Sequence, residues 1–386
     1  RLITLLQANP QRVVALYSLE PEMQLFLLWL CQQAGLDEIL VDANPAHLGA
    51  VWNCKAMLHP TVVAAQQLDL DNRLDPATLL ARESAVAPAT EKLGFVLPVI
   101  PGYTLPVQAT ATALAAQLQA AADLLRQRYG LERGCLKPSR GGDGGRIVLD
   151  IDLGDHAHLQ RLAETAWHLG GDYLLEAQVS YNRVSVGTEQ VITAPSFHVR
   201  YGAVAPGMTL QFIRGTSWKG NIYLTPETSP AFGIATASYV TMQDTMERLT
   251  KALQAQGLVR AGVDFAVCQL GGRWGDRPVI AVQDINIKLT GAEFLRVFRE
   301  RQQAEVQAIA TASRVFRPTF AATAHAVQQR LAMLAAPAPV ELIAVVPGRW
   351  GIFAATGATP QDAAQRVLDL EQQLVADGLA EAQWPE

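Results

Sequence analysis

The chain reads as a mixed α/β protein of several domains. Three observations predict this. Helix-period and strand-period apolar runs alternate along 386 residues, enough chain for two or three domains with real cores. Hydrophobic residues make up 49% and charged residues 17%, the balance of a globular chain and not of a disordered one. Pro- and Gly-rich stretches at 91–108 and 335–339 divide the chain into segments.

The elements follow in order. Arg12–Tyr17 reads as a strand, and Pro21 opens a helix to about Ala34, with proline in the first turn and Gly35 in the terminating place. Glu38–Asp42 is a second strand, so the start of the chain is a strand–helix–strand unit with parallel pairing. After the 91–108 boundary come a helix at Ala109–Tyr129 ended by Gly130, a glycine hairpin, a helix at His156–Leu169 and a strand over 172–179. Strands are expected at Arg183–Val191, Ser196–Val204 and Thr209–Arg214. A helix at 241–256 carries Met242, Met246, Leu249 and Leu253 on one stripe. Two strands, 262–269 and 278–287, a polar helix over 292–310, strands at 340–346 and 350–355 and a helix from Pro360 to Ala376 complete the chain.

Bulk properties exclude several function classes. A net charge of −5 argues against a general nucleic-acid or anionic-membrane binder. The longest apolar run, Leu25–Leu30, is far too short for a membrane span. Cys31, Cys54, Cys135 and Cys268 lack paired spacing and read as free thiols of a reducing compartment. With no visible signal peptide, although the chain starts at Arg1 and not at methionine, the expected location is cytoplasmic. His156 and His158 have no third ligand nearby and read as surface residues, not a zinc site.

Two constellations carry chemistry. The first is Cys135–Asp150, in which Lys137 precedes a loop holding Gly141, Gly142, Gly144 and Gly145, followed at once by a strand. A P-loop needs its lysine after the glycines, and a dinucleotide fingerprint needs a helix behind them; neither fits. A strand–lysine–glycine hairpin can instead fold over a polyphosphate, because glycine lets backbone N–H groups approach closely. The alternative is an ordinary hairpin with a surface lysine. The second constellation is the 262–287 hairpin. Asp284 and Asn286 share a strand face, and a turn near Trp274 sets Asp264 opposite Asp284. Opposed carboxylates repel unless a cation lies between them, and a small set of oxygen ligands suits Mg²⁺ bound together with phosphates.

Lys92, Lys137 before its glycine hairpin, Glu176 at a strand end, Asp264, and Asp284-x-Asn286 occur in an order that resembles the ATP-grasp fold, the family of D-alanine–D-alanine ligase, biotin carboxylase and glutathione synthetase. Leu136–Gly145 resembles the family's lysine and phosphate-covering loop, Leu174–Val179 its adenine hinge, and Asp264 with Asp284–Lys288 its metal motif. The chain departs from the family in four places. Asp284 stands where glutamate is usual and Lys288 where arginine is usual, the segment after Lys92 is short, and Arg183 stands where an acid often meets the ribose.

The resemblance implies two α+β ATP-grasp subdomains, residues 91–178 with the lid and 179–330 with the metal site. An α/β pre-ATP-grasp domain (1–90) precedes them and a small C-terminal α/β unit (340–386) follows. That layout, with Gly348–Phe353, is similar to peptide ligases of the pheganomycin type. It implies ATP contacts at Lys92, Lys137, Ser139, Gly141, Gly142, Gly144 and Gly145, an adenine site at Glu176, Ala177 and Val179, and one or two Mg²⁺ ions, with Mn²⁺ as the alternative, on Asp264, Asp284 and Asn286. Arg214 would grip the substrate carboxylate or acyl phosphate, with Arg200 as second candidate, and Lys288 would add charge near the phosphates. The expected reaction is ATP-dependent amide formation between a small-molecule carboxylate and an amine, amino acids or peptides, by a protein that family analogy makes a homodimer. A phosphotransferase and a nucleotide-binding scaffold without turnover are the alternatives.

Overall fold

The structure is a computed structural model that describes residues 1–141, 146–186, 189–192, 194–214, 217–301, 308–314, 324–334, 340–346 and 350–381. Its first segment holds α1 (Leu2–Ala8), β1 (Val14–Ala15), α2 (Pro21–Ala34), β2 (Val41–Asp42), α3 (Ala46–Trp52), α4 (Val62–Gln66) and α5 (Pro76–Ser84). β1 and β2 pair in parallel, and α2 has the expected bounds, with Gly35 at φ 65°. The two strands are only two residues long each, shorter than the sequence predicts. Val13 and Tyr17 at their margins are exposed and gain nothing from extending the pairing.

The second segment holds β3 (Gly102–Leu105), α6 (Ala111–Tyr129), β4 (Arg133–Pro138), β5 (Val148–Asp152), α7 (His156–Leu169) and β6 (Tyr173–Ala177). The strands form an antiparallel sheet in the order β3-β6-β4-β5. α6 is capped by Thr110, whose side chain accepts from the Ala113 N–H, and closed by Gly130 at φ 67°. Leu118, Leu125, Leu159 and Ala163 seat the two helices on Leu136, Ile151 and Leu175 of the sheet.

The third segment runs through β7 (Ser180–Tyr181), β8 (Arg183–Val186), β9 (Glu189–Ile192), β10 (Pro195–Arg200), β11 (Ala203–Val204), β12 (Met208–Arg214), β13 (Ser217–Leu224), α8 (Thr236–Gln254), β14 (Arg260–Gln269), β15 (Val279–Asn286) and α9 (Gly291–Arg301). It continues through β16 (Ala308–Arg314), α10 (Ala324–Leu334), β17 (Val340–Val346), β18 (Trp350–Gly357) and α11 (Pro360–Ala376). Its main sheet has the order β15-β14-β10-β12-β13-β16-β18-β17. β17 and β18 therefore extend this sheet, and Ala363, Val367 and Leu374 of α11 join its core.

Three expectations need correction. Arg183–Val191 is not one strand but a β8–β9 hairpin. Ser196–Val204 is broken by Tyr201 and Gly202, both at positive φ, into the β10–β11 hairpin. The helix predicted over 292–310 is described over Gly291–Arg301, residues 302–307 lie outside the described residues, and Ala308–Ala310 lie not in a helix but in β16, paired with β18.

The large sheet has two chemically different faces, because strand side chains alternate. Phe197, Val199, Leu210, Phe212, Ile222, Val263, Phe265 and Ile285 form the core under Met242, Met246, Leu249 and Leu253 of α8. Between them along the same strands stand Ser196, His198, Arg200, Thr209, Gln211, Asn221, Asp264, Asp284 and Asn286. That polar face carries the site.

Candidate active site

The site is built where the two main sheets meet. β4 and β6 are neighbours with Cys135 opposite Glu176 and Lys137 opposite Leu174. Cys135 and Lys137 share a face, so Glu176 is the diagonal neighbour of Lys137, within reach of a long side chain. Lys137 Nζ lies 2.5 Å from Glu176 Oε2, and both side chains are buried. The other carboxylate oxygen, Oε1, is 3.0 Å from His59 Nε2. Burial opposes charge on Glu176, but the Lys137 ammonium and the His59 hydrogen bond outweigh it and hold the carboxyl at about 2. Burial also pulls the Lys137 ammonium down, and Glu176 more than reverses this, so Lys137 stays charged. Gly102 on β3 faces Glu176 because a Cβ there would come within 2.8 Å of Glu176 Cγ.

Beside this pair lies a cavity of about 410 Å³, lined by Lys137, Ile147, Leu149, the hinge Ala177–Ser180, Tyr181 and Arg183, with Ile213 and Gln283 from the large sheet. Its size and mostly apolar walls suit a flat heteroaromatic ligand. Ala177 and Val179 line this cavity, while the Glu176 side chain is turned to Lys137 and His59. Arg183 lines the same cavity. The hinge then crosses to the second sheet: β7 pairs with β14, and Tyr181 Oη donates to Gln283 Oε1 at 2.5 Å.

Gln283 leads directly into the acid pair. Asp264 on β14 is the register partner of Asp284 on β15, and Asn286 is opposite Gly262. Asp264 accepts hydrogen bonds from Gln211 Nε2 at 3.0 Å and Asn286 Nδ2 at 3.4 Å. Burial and the facing Asp284 push the Asp264 carboxyl up to about 6, against the pull of Ser196, Lys55 and Lys288. Among the described residues no three His, Cys, Asp or Glu side chains cluster as a metal site. Two carboxylates and an amide oxygen fit a cation that takes its remaining ligands from phosphates and water. The structure supplies a stand-in charge: the Lys55 ammonium sits 2.8 Å from Asp284 Oδ2.

The remaining predicted residues are placed as follows. Ser139 is buried; its hydroxyl accepts from the Ala56 N–H at 3.3 Å and lies 3.0 Å from Cys54 Sγ. Gly141 has φ 148°, a conformation that favours glycine, while Gly142, Gly144 and Gly145 lie outside the described residues, as do Gly348 and Arg349. Lys288 is half-buried two residues after Asn286. Lys92 is exposed on a one-turn 3-10 helix, Thr90–Lys92, and takes part in none of the described contacts around Lys137 or the acid pair. Arg214 ends β12 opposite Ser217, and its side chain lies outside the described residues. Arg200 lies 2.9 Å from Glu293 Oε1 and borders Asp42. Trp218 packs on Gly291, where a Cβ would meet its ring at 2.7 Å.

Sequence reasoning missed the contribution of residues 53–59. Asn53 Oδ1 accepts from the Ile287 N–H at 2.7 Å, the Lys55 N–H donates to Ser139 O at 2.9 Å, and His59 holds Glu176. The polar residues of Asn53-Cys54-Lys55-Ala56-Met57-Leu58-His59 were the available signal, but no local spacing ties them to partners 80 to 230 residues away.

The two sheets, the lysine before a glycine loop, the hinge cavity and the acid pair on the second sheet define the ATP-grasp fold. Comparison with solved structures bears on the same point. An ADP complex of N5-carboxyaminoimidazole ribonucleotide synthetase aligns with 98% of this chain and 83% of its own, at TM-score 0.53 and 12% identity. N5-carboxyaminoimidazole synthase from Aspergillus clavatus, in complex with ADP and 5-aminoimidazole ribonucleotide, covers 95% of this chain and 99% of its own, at TM-score 0.50 and 14% identity. At such identities the likeness is one of fold. No family model and no curated protein matches the chain. Among the described residues no helix is long and apolar enough to cross a membrane.

Proposed function

We propose that this protein is an ATP-dependent carboxylate–amine ligase acting on amino-acid or peptide substrates. The observation that carries the reading is continuity: the buried Lys137–Glu176 pair, the hinge cavity and the Asp264–Asp284 pair follow one another along two joined sheets. Both solved structures aligned above were determined with ADP.

In this reading the adenine enters the cavity against Ala177 and Val179, and Lys137 meets the α- and β-phosphates. Ser139 anchors the start of the loop, and Gly141 with the glycines that follow would cover the triphosphate and exclude water. Asp264, Asp284 and Asn286 would hold Mg²⁺, or Mn²⁺ in its place, which would supply positive charge against the triphosphate. Arg214 orients the substrate carboxylate, whose oxygen attacks the γ-phosphorus. The bond to the β,γ-bridging oxygen breaks, ADP leaves, and an acyl phosphate forms. Lys288 offsets the charge that builds up. The amine then attacks the acyl carbon, the C–O bond to phosphate breaks, and the nitrogen loses a proton as the amide forms. The protein contributes positioning and charge, and no side-chain nucleophile is needed.

The test is phosphate release from Mg·ATP by wild type and Lys137→Ala, across a panel of amino acids and short peptides, with mass detection of products. Substrate-dependent ADP and a new amide mass, both lost in the variant, support the ligase. A stable phosphorylated product supports the phosphotransferase instead. Nucleotide binding without substrate-dependent turnover across the panel leaves the scaffold.

A further inference from the structure

Lys55 is placed with unusual firmness for a surface-segment lysine. Its own N–H donates to Ser139 O, and Ala56 N–H donates to the Ser139 hydroxyl. Two residues earlier, Asn53 holds the Ile287 N–H of the strand end that carries Asn286. The Lys55 backbone is therefore pinned between the start of the glycine loop and the end of the metal strand. From there its ammonium reaches Asp284 Oδ2 at 2.8 Å and Gly141 O at 3.5 Å. An ammonium carries three donors, and these two acceptors use two of them.

Docking of the N-terminal segment does not explain that charge. The segment is already tied down by other contacts: the bonds of Asn53 and Ser139, those of Asn44, whose side chain bonds the Val259 and Arg260 N–H groups and the Arg260 carbonyl, and the ion pair of Asp42 with Arg260. A partly exposed ion pair adds little to such a set; its side chains are 14% and 20% exposed. What the position does explain is electrostatics. The acid pair needs a cation, and Lys55 supplies one. The ammonium also lies between the acid pair and the first glycine of the loop, the path a triphosphate takes under the reading given above.

On that reading, we propose that Lys55 is a nucleotide-responsive cation. Without nucleotide it neutralises Asp284. When nucleotide and divalent ion enter, its ammonium leaves Asp284 to the ion and donates to the phosphate oxygens. The N-terminal segment thereby supplies one contact of the phosphate site.

The two halves of this proposal predict opposite effects of one substitution. In Lys55→Met, Asp284 loses its competing ammonium, so Mn²⁺ should bind the nucleotide-free protein several-fold more tightly in an electron paramagnetic resonance titration. The same variant loses a charge-assisted phosphate contact, so Mg²⁺ with a non-hydrolysable ATP analogue should bind about 10- to 100-fold more weakly by calorimetry. Lys55→Arg, which keeps the charge, should stay near wild type in both, and it serves as the folded control should the methionine variant melt early. A lysine that merely braces the segment would leave both affinities unchanged, or weaken both together with the melting temperature, and either result overturns the proposal. Should wild type bind no nucleotide, the ATP reading itself falls; should wild type bind it and Lys55→Met bind it equally well, only the role of Lys55 falls.

Discussion

Replacing Lys137 by methionine tests the centre of the site. The ammonium lies 2.5 Å from Glu176 Oε2, with residue exposures of 7% and 1%. At that distance the attraction is about 7 kcal/mol at an effective dielectric near 20. It offsets a desolvation cost of several kcal/mol for each ion. Lys137→Met removes the attraction and leaves Glu176 buried with His59 as its remaining side-chain partner, a change that costs about 3–5 kcal/mol. Glu176→Gln, which strands the ammonium instead, should cost a similar amount. The double variant leaves no charge behind and should recover at least half of either loss, since a neutral pair of similar volume is tolerated where a broken ion pair is not. Urea denaturation of the four proteins gives the coupling energy directly. Calorimetry with ADP gives the second reading: binding should be lost in every variant lacking the ammonium, the double variant included. A single-variant cost below about 1 kcal/mol, or a double variant as unstable as the sum of the singles, would refute this account of the pair.

Three further outcomes follow from other parts of the structure. Burial pushes the His198 imidazole down to about 4, helped by Arg296 and opposed by Glu293. Because the folded value lies below the unfolded one, stability is unaffected above about pH 6.5, falls by roughly 3 kcal/mol as pH drops to about 4, and levels off below; His198→Gln should flatten that slope in urea titrations run across the range. Gly102→Ala places a Cβ 2.8 Å from Glu176 Cγ and 2.9 Å from Leu175 O; it should cost about 1–3 kcal/mol in thermal or urea unfolding and weaken ADP binding, and an unchanged melting temperature would count against the packing described. Asp264→Asn removes a half-buried carboxylate set opposite Asp284; it should stabilise the nucleotide-free protein by about 1 kcal/mol while weakening Mn²⁺ binding at least tenfold, and tighter Mn²⁺ binding would exclude Asp264 as a ligand.

Several parts of this molecule were legible from sequence because their causes are local. α2, α7 and α11 have the predicted bounds, since proline, capping residues and terminal glycines act within one turn of where they stand. The facing of Asp264 and Asp284 was expected from a turn near Trp274, but unbroken counting from the turn would set Asp264 opposite Gln283; a one-residue bulge between Asp264 and Phe265 brings Asp284 into register instead. β13 was not foreseen as a strand, since Lys219, Gly220 and Asn221 break its apolar pattern. Its polar side chains belong to the working face of the sheet, and only the neighbours on both sides make it extended.

By itself the sequence determined the class of fold, the lysine–glycine hairpin and the acid pair, all features set by neighbours a few residues apart or by register within one hairpin. Only the tertiary structure decided which groups complete them. His59 meets Glu176, Asn53 meets Ile287 and Lys55 meets Asp284. The last two pairs are separated by 234 and 229 residues. Such pairs are made by the docking of one packed unit against another, and no periodicity in the chain encodes where that docking brings an ammonium to rest.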